Sequence, residues 1–335
     1  MGILRFILAI GVLLSHTGVS LLGLNPGVMA VIVFYAISGY VMAALIGRHY
    51  AAPGRVGPFY ADRILRIYPQ YAFYAAAAAL WLLTIGHATP FLSAPPRAQD
   101  WLNNILIVPL NYFMFNGADH FTLVPPAWSL GAEVVFYILA PWLWLRWRWA
   151  LLLGAVSLCI QALAWHGVCN SDWWGYRLLP GVLWVFVLGM ALHRYQSTHP
   201  QATARVALCL PLCSAAIATY LSVQGYLAQP YHREVLLGLG LGLPLVYLLS
   251  AHPLKPPWLQ KLDGHLGNAS YGIFLNHFVV IWCLGLEHPQ GLGPWALLLF
   301  FSIALSLLTQ RCLEQPVQKY RKQWRQSMQS PKIGP

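Results

Sequence analysis

VMAVIVFYAISGYVMAALIG, residues 28–47, runs for 20 positions without a charged side chain. As an α-helix it rises about 30 Å, the thickness of a bilayer's hydrocarbon core, and so it reads as a membrane span. Apolar runs of similar length recur on both sides of it, at 3–22, 70–87, 127–146, 150–167, 177–194, 205–223, 233–251, 270–287 and 294–313. The composition of the whole chain agrees. Hydrophobic residues make up 58% of the 335 positions and charged residues 9%, against about 25% charged in soluble domains, and the mean hydropathy is +0.58. The expected fold is an all-α polytopic membrane protein with about ten transmembrane helices. The stretch 101–116, WLNNILIVPLNYFMFN, is apolar but broken by Pro109 and four Asn, and is expected to be interfacial or re-entrant.

The basic residues support that count. With the N-terminus in the cytoplasm, 17 of the 20 Lys and Arg fall on the inner side, Lys332 among them, and only Arg97, Arg177 and Arg233 fall outside. This is the asymmetry that the positive-inside rule describes, with both termini cytoplasmic. The formal charge of +11 is therefore topology rather than a nucleic-acid surface. Residues 1–316 form one transmembrane domain, and the basic cytoplasmic tail 317–335 is expected to lie against anionic headgroups. Ser15-His16-Thr17-Gly18 makes a poor cleavage site, so the first span is read as retained. Six cysteines show neither CxxC pairing nor finger spacing, which gives no expected disulfide and no metal site.

An ionisable group in hydrocarbon costs about 2.5–3.5 kcal/mol on insertion scales, so each one calls for an explanation. Arg5 and His16 are 11 residues apart, three turns and roughly 16 Å along one helix face. His16 alone could be a core histidine bonded to a neighbouring helix; together the two mark a path through the protein. Glu133 is expected at the depth of His16, either paired with an arginine or acting with the histidine as a general base and its orienting partner. Arg63 and Arg66, three apart beside Tyr60 and Tyr68, suit phosphates or serve only as topogenic charges. His277, beside Asn276 and downstream of Tyr271, is expected near the midplane. A bis-histidine haem would want more histidines than this.

Five stretches, taken together and in order, resemble the acyltransferase-3 family of integral-membrane O-acyltransferases. They are LRFILAIGVLLSHTG (4–18), FYAISGYVMA (34–43), YADRILRIYP (60–69), PAWSLGAEVVFYILAP (126–141) and LGNASYGIFLNH (266–277). The resemblance implies transfer of an acyl group, most often acetyl from acetyl-CoA, to hydroxyls of cell-envelope or secreted carbohydrates. It implies His16 as the essential histidine, Arg5 as its basic partner, Glu133 as the carboxylate, and Arg63 and Arg66 as the inner arginine pair. Gly131-Ala132 departs from the more polar residues usual there, and no appended esterase-like domain is present, which points to a stand-alone enzyme.

On that basis acyl-CoA is expected as co-substrate with no permanently bound cofactor, and the expected partners are a carbohydrate or glycolipid acceptor and the lipid bilayer. The donor's phosphates would meet Arg63, Arg66 and Arg5, and its arm would pass Ser38 and Gly39. The acceptor would stack on Trp128 or Tyr137, with Ser129 or Asn276 as oxyanion donors and Tyr271 and His277 nearby. The expected location is the bacterial inner membrane. The competing class is a proton-coupled transporter using the buried His and Glu, but matched repeats with broken helices are not seen.

Overall fold

The computed structural model describes residues 1–252 and 254–328, so Lys332 and the end of the tail lie outside it. Among the described residues every regular element is a helix. The main ones are α1 (Gly2–His16), α2 (Pro26–Tyr50), α3 (Val56–Thr84), α4 (Ala98–Leu106), α5 (Ala127–Leu145), α6 (Trp147–Trp165), α7 (Trp173–Gln196), α8 (Pro200–Val223), α9 (His232–Ala251), α10 (Pro257–Leu284) and α11 (Leu292–Ser327).

Each of the ten apolar runs has its helix. Seven, α2, α5 to α9 and α11, are long and apolar enough to cross a membrane. The other three are α1, at 15 residues, and the long but more polar α3 and α10. These three carry Arg5, His16, Arg63, Arg66, Asn276 and His277. The helices that fall short as spans are thus the ones that carry the candidate arginines and histidines. The α6, α8 and α11 helices turn Leu152, Leu212 and Phe300 outward, each more than half exposed. Water would penalise such faces, whereas hydrocarbon does not.

The first helix is shorter than the run 3–22 suggests. It ends at His16, with Thr17 as C-cap and Gly18 at φ +83°, a backbone that glycine adopts without cost. His16 therefore sits in the last turn, at the end of its helix. The next helix begins where Asn25 accepts hydrogen bonds from the Gly27 and Val28 N–H groups, with Pro26 in the first turn, the start signal that caps orphan donors.

One end of the bundle gathers the chain start, the beginnings of α3 and α10, and the end of α11. The Met1 amino group pairs with Asp263 at 3.2 Å, the Ile3 N–H donates to Asp263 at 2.9 Å, and Arg55 donates to the Met328 carbonyl at 2.7 Å. Burial pushes the Asp263 carboxyl up, but bonds from the Ile3 and Gly2 N–H groups and the amino terminus outweigh it and hold it below the usual range. We call this the basic end.

At the far end, the 101–116 stretch is broken rather than spanning. Ile107 takes φ +65° between α4 and a 3-10 turn at Val108–Tyr112, a rare conformation for a β-branched residue. Asn104 anchors the segment, donating to the Phe121 carbonyl at 2.9 Å and accepting from the Leu123 N–H at 2.8 Å.

Two glycines let α2 and α7 touch backbone to backbone. A Cβ at Gly39 would stand 2.0 Å from the Phe186 carbonyl oxygen, and one at Gly189 would stand 2.1 Å from that of Ala36. Small residues of this kind set close helix crossings in membranes. Gly39→Ala is expected to destabilise the protein by about 1–3 kcal/mol through overpacking, read as a lower midpoint of thermal unfolding in detergent.

Candidate active site

Three cavities lie in line between the two ends of the bundle and share walls. The first, about 490 Å³, opens at the basic end and is lined by Arg63, Arg66 and basic residues of α11. The second, about 150 Å³, is central and holds Arg5, Ser38, Glu133, Tyr137 and Tyr271, with Arg63 and Arg66 common to both. The third, about 340 Å³, lies at the far end and contains His16, Trp128 and Arg177, and it meets the central cavity at Val31, Ser129 and Phe274. The three-turn spacing of Arg5 and His16 thus places one in the central cavity and the other in the far cavity.

The side-chain hydrogen-bond partner of His16 is His277, not Glu133, and the Val12 backbone one turn back is a further partner of the ring. The α1 and α10 helices pack closely, and the His16 Nδ1 and His277 Nε2 atoms stand 3.1 Å apart. The rings stack at 5.1 Å between centroids, with Phe278 against both. The His277 Nδ1 atom is 3.0 Å from the Ile273 carbonyl one turn back. A carbonyl only accepts, so Nδ1 of His277 carries the proton and its Nε2 accepts. The His16 Nδ1–H then donates to it, and the His16 Nε2 is left bare. Protons assigned from the network in this way leave Nε2 as the lone-pair nitrogen of a neutral His16 ring, on a side chain that lines the far cavity. His277 is fully buried and does not itself line the cavity.

Glu133 lies a turn farther along α5 than Trp128 and Ser129, and that shift takes it out of reach. Its Oε1 accepts from the Ser38 hydroxyl at 2.6 Å and from the Tyr137 hydroxyl at 2.5 Å, both on the wall of the central cavity. Gly39, the neighbour of Ser38, points about 100° away on the helix and serves the α7 contact instead. Ser129 stands where the central and far cavities meet, with its hydroxyl donated to the Pro126 carbonyl at 3.0 Å. Asn276 donates to the Ser302 carbonyl at 2.9 Å and lines none of the three cavities. It clamps α10 to α11. The Tyr271 hydroxyl donates to the Ile67 carbonyl at 3.1 Å, and its ring lies beneath the Arg66 guanidinium.

The arginines differ in how they are compensated. Arg66 pairs with Glu314, which a π-helical turn at Gln310–Glu314 brings against α3. Arg63 pairs with Asp62 and lies 5.8 Å from the ring centres of Phe59 and Tyr137. Arg5, on the central cavity, makes no ion pair among the described residues.

The chain from residue 1 to 311 matches the family model described as an acyltransferase domain. The protein belongs to the acyltransferase-3 family. It is an integral-membrane acyltransferase. Among curated relatives, an uncharacterized protein of Aquifex aeolicus (strain VF5) is 34% identical over 59% of this chain and 89% of its own length. Nodulation protein 10 of Rhizobium leguminosarum bv. viciae is 25% identical over 88% of this chain and 83% of its own. No solved structure matches.

Three features of this acyltransferase escape a reading of its sequence. Arg177 looks like an outer-loop charge, yet it lines the far cavity beside His16, with its guanidinium 4.5 Å from the Trp128 ring centre and its Nε donating to Asp172 at 2.7 Å. The two aromatic site candidates also separate, Trp128 to the far cavity and Tyr137 to the central one. The third feature is the tail, whose residues 317–327 continue α11, with Arg321 buried against Asp62.

Proposed function

We propose that this protein moves an acyl group, most simply acetyl, from acyl-CoA to a hydroxyl of a cell-envelope or secreted carbohydrate. The observation that carries the proposal is the passage itself, with cations at one end and the bare Nε2 of His16 at the other. The donor's phosphates rest at the basic end, on the cytoplasmic side. Its arm threads the central cavity past Arg5 and Ser38, a distance of roughly 16 Å to His16, which an extended phosphopantetheine chain covers. The acceptor enters the far cavity between Trp128 and Arg177.

There the His16 Nε2 takes the proton of the attacking hydroxyl as its oxygen bonds to the thioester carbonyl carbon. The tetrahedral intermediate collapses, the C–S bond breaks, and the thiolate recovers the proton from the imidazolium. His277 holds His16 in the tautomer that leaves Nε2 free, the orienting part that a carboxylate plays in other triads. Glu133 positions Ser38 and Tyr137 along the donor arm.

His277→Ala is expected to lower kcat by about 10–100-fold, the usual effect of losing an orienting partner, with the KM for donor unchanged. Loss of folded protein, or a matched rise in KM, would mark His277 as merely structural. The function itself is tested with membrane vesicles given labelled acetyl-CoA and a saccharide extract. Alkali-labile label in sugar supports it; wild-type membranes that leave the sugar unlabelled while other acyl-CoA donors also fail would refute it.

A further inference from the structure

We infer that the C-terminal stretch of α11 forms part of the donor site, with Lys319, Lys322 and Arg325 binding the phosphate groups of the donor nucleotide. This rests on the acyl-CoA reading above and adds residues outside the part of the chain that matches the family, which ends at 311. The cavity at the basic end is bounded by α2, α3 and this stretch, and six of its lining side chains are cationic: Arg63, Arg66, Lys319, Arg321, Lys322 and Arg325. No carboxylate lines it.

The nearest carboxylates are already committed. Asp62 accepts from Arg63 and from Arg321, at 2.9 and 3.2 Å for the latter, and it is 3.9 Å from the Arg325 Nε. Glu314 accepts from Arg66 and Gln318. Lys319 and Lys322 make no ion pair among the described residues.

Residues 319, 322 and 325 recur at helical spacing and so form one stripe, where like charges repel. Arg321 faces Asp62 and pins that stripe over the cavity. A cluster of cations held together with too few carboxylates to balance it is a site for a multiply charged anion, and Lys and Arg bind phosphate through charge-assisted hydrogen bonds. The cavity runs on into the central one through Val41, Arg63 and Arg66. A ligand anchored here by phosphates can therefore send an uncharged arm inward, as a nucleotide thioester does.

The test compares wild type with the double variant Lys319→Gln, Lys322→Gln in phosphatidylcholine vesicles, with acetyl-CoA and phosphate-free acetyl-pantetheine as donors. The KM for acetyl-CoA is expected to rise about tenfold, the scale of lost charge-assisted bonds at a solvated site, with kcat and the KM for acetyl-pantetheine unchanged. An unchanged KM for acetyl-CoA in the variant, or equal rises for both donors, would overturn the inference and leave the acyl-CoA reading standing. A wild type that uses neither donor would overturn both. If the variant's defect appears only when phosphatidylglycerol is added, these lysines serve lipid headgroups and the inference fails.

Discussion

His16→Ala is expected to reduce acyl transfer by about 10²–10⁴-fold, the contribution of a positioned general base, while the protein accumulates and unfolds as the wild type does. The reason lies in the wiring of the two rings. The His277 Nδ1–H is spent on Ile273, its Nε2 on the His16 Nδ1–H, and only the His16 Nε2 remains free. His277 cannot replace it, since it is fully buried and lines none of the three cavities. The proposed donor site at the basic end lies beyond Arg5, itself three helical turns from His16, so the KM for acyl-CoA should not move. Transfer rates measured at matched protein level decide this. A variant that retains more than a tenth of the wild-type rate would remove His16 from the chemistry.

Asp62→Ala should be the most destabilising single change in the basic end, by about 3–5 kcal/mol, the cost of stranding a buried charge. The Asp62 side chain is fully buried, and those of Arg63 and Arg321 are 9% and 6% exposed. Without Asp62 both guanidinium groups stay in place with no carboxylate, and Arg325 loses its nearest one. The pH dependence has the same origin. Burial pushes the Asp62 carboxyl up, but the hydrogen bond and charge of Arg321 and the charge of Arg63 outweigh it and hold it below the ordinary range. A carboxylate with a depressed folded-state pKa stabilises the fold above its unfolded value of about 3.9, and that contribution is lost as the pH falls through the folded value. Thermal unfolding in detergent should therefore show Asp62→Ala well below wild type at neutral pH, with the gap narrowing in acid. A loss under about 1 kcal/mol, the scale of an exposed pair, would show that the cluster is solvated.

What the sequence makes legible here is local. A run of apolar residues is a property of neighbours in the chain, and each of the ten runs has its helix. His16, Glu133 and His277 stand out for the same reason, as polar residues within apolar surroundings. Their partners are not local. His16 and His277 are 261 positions apart, and Asp62 and Arg321 are 259 apart. Depth along a presumed span places Glu133 level with His16. That estimate takes α1 to continue to residue 22, whereas Gly18 and its turn end it at His16. Depth also says nothing about direction, and Glu133 looks toward Ser38 on α2. The basic tail shows its charge in the sequence but not what it packs on, and an outward-facing arginine such as Arg177 cannot be told from one folded back into a cavity. Charge is additive along a chain, but the contact that uses it is set by tertiary packing.

If one passage links a donor site at the basic end to an acceptor site at the far end, transfer needs the two substrates on opposite faces of the membrane. Proteoliposomes test it with labelled acetyl-CoA supplied only outside and saccharide extract either trapped inside or added outside. Alkali-labile sugar label that forms only when donor and acceptor are on opposite faces is the predicted result. Equal labelling with both on the same face would contradict it.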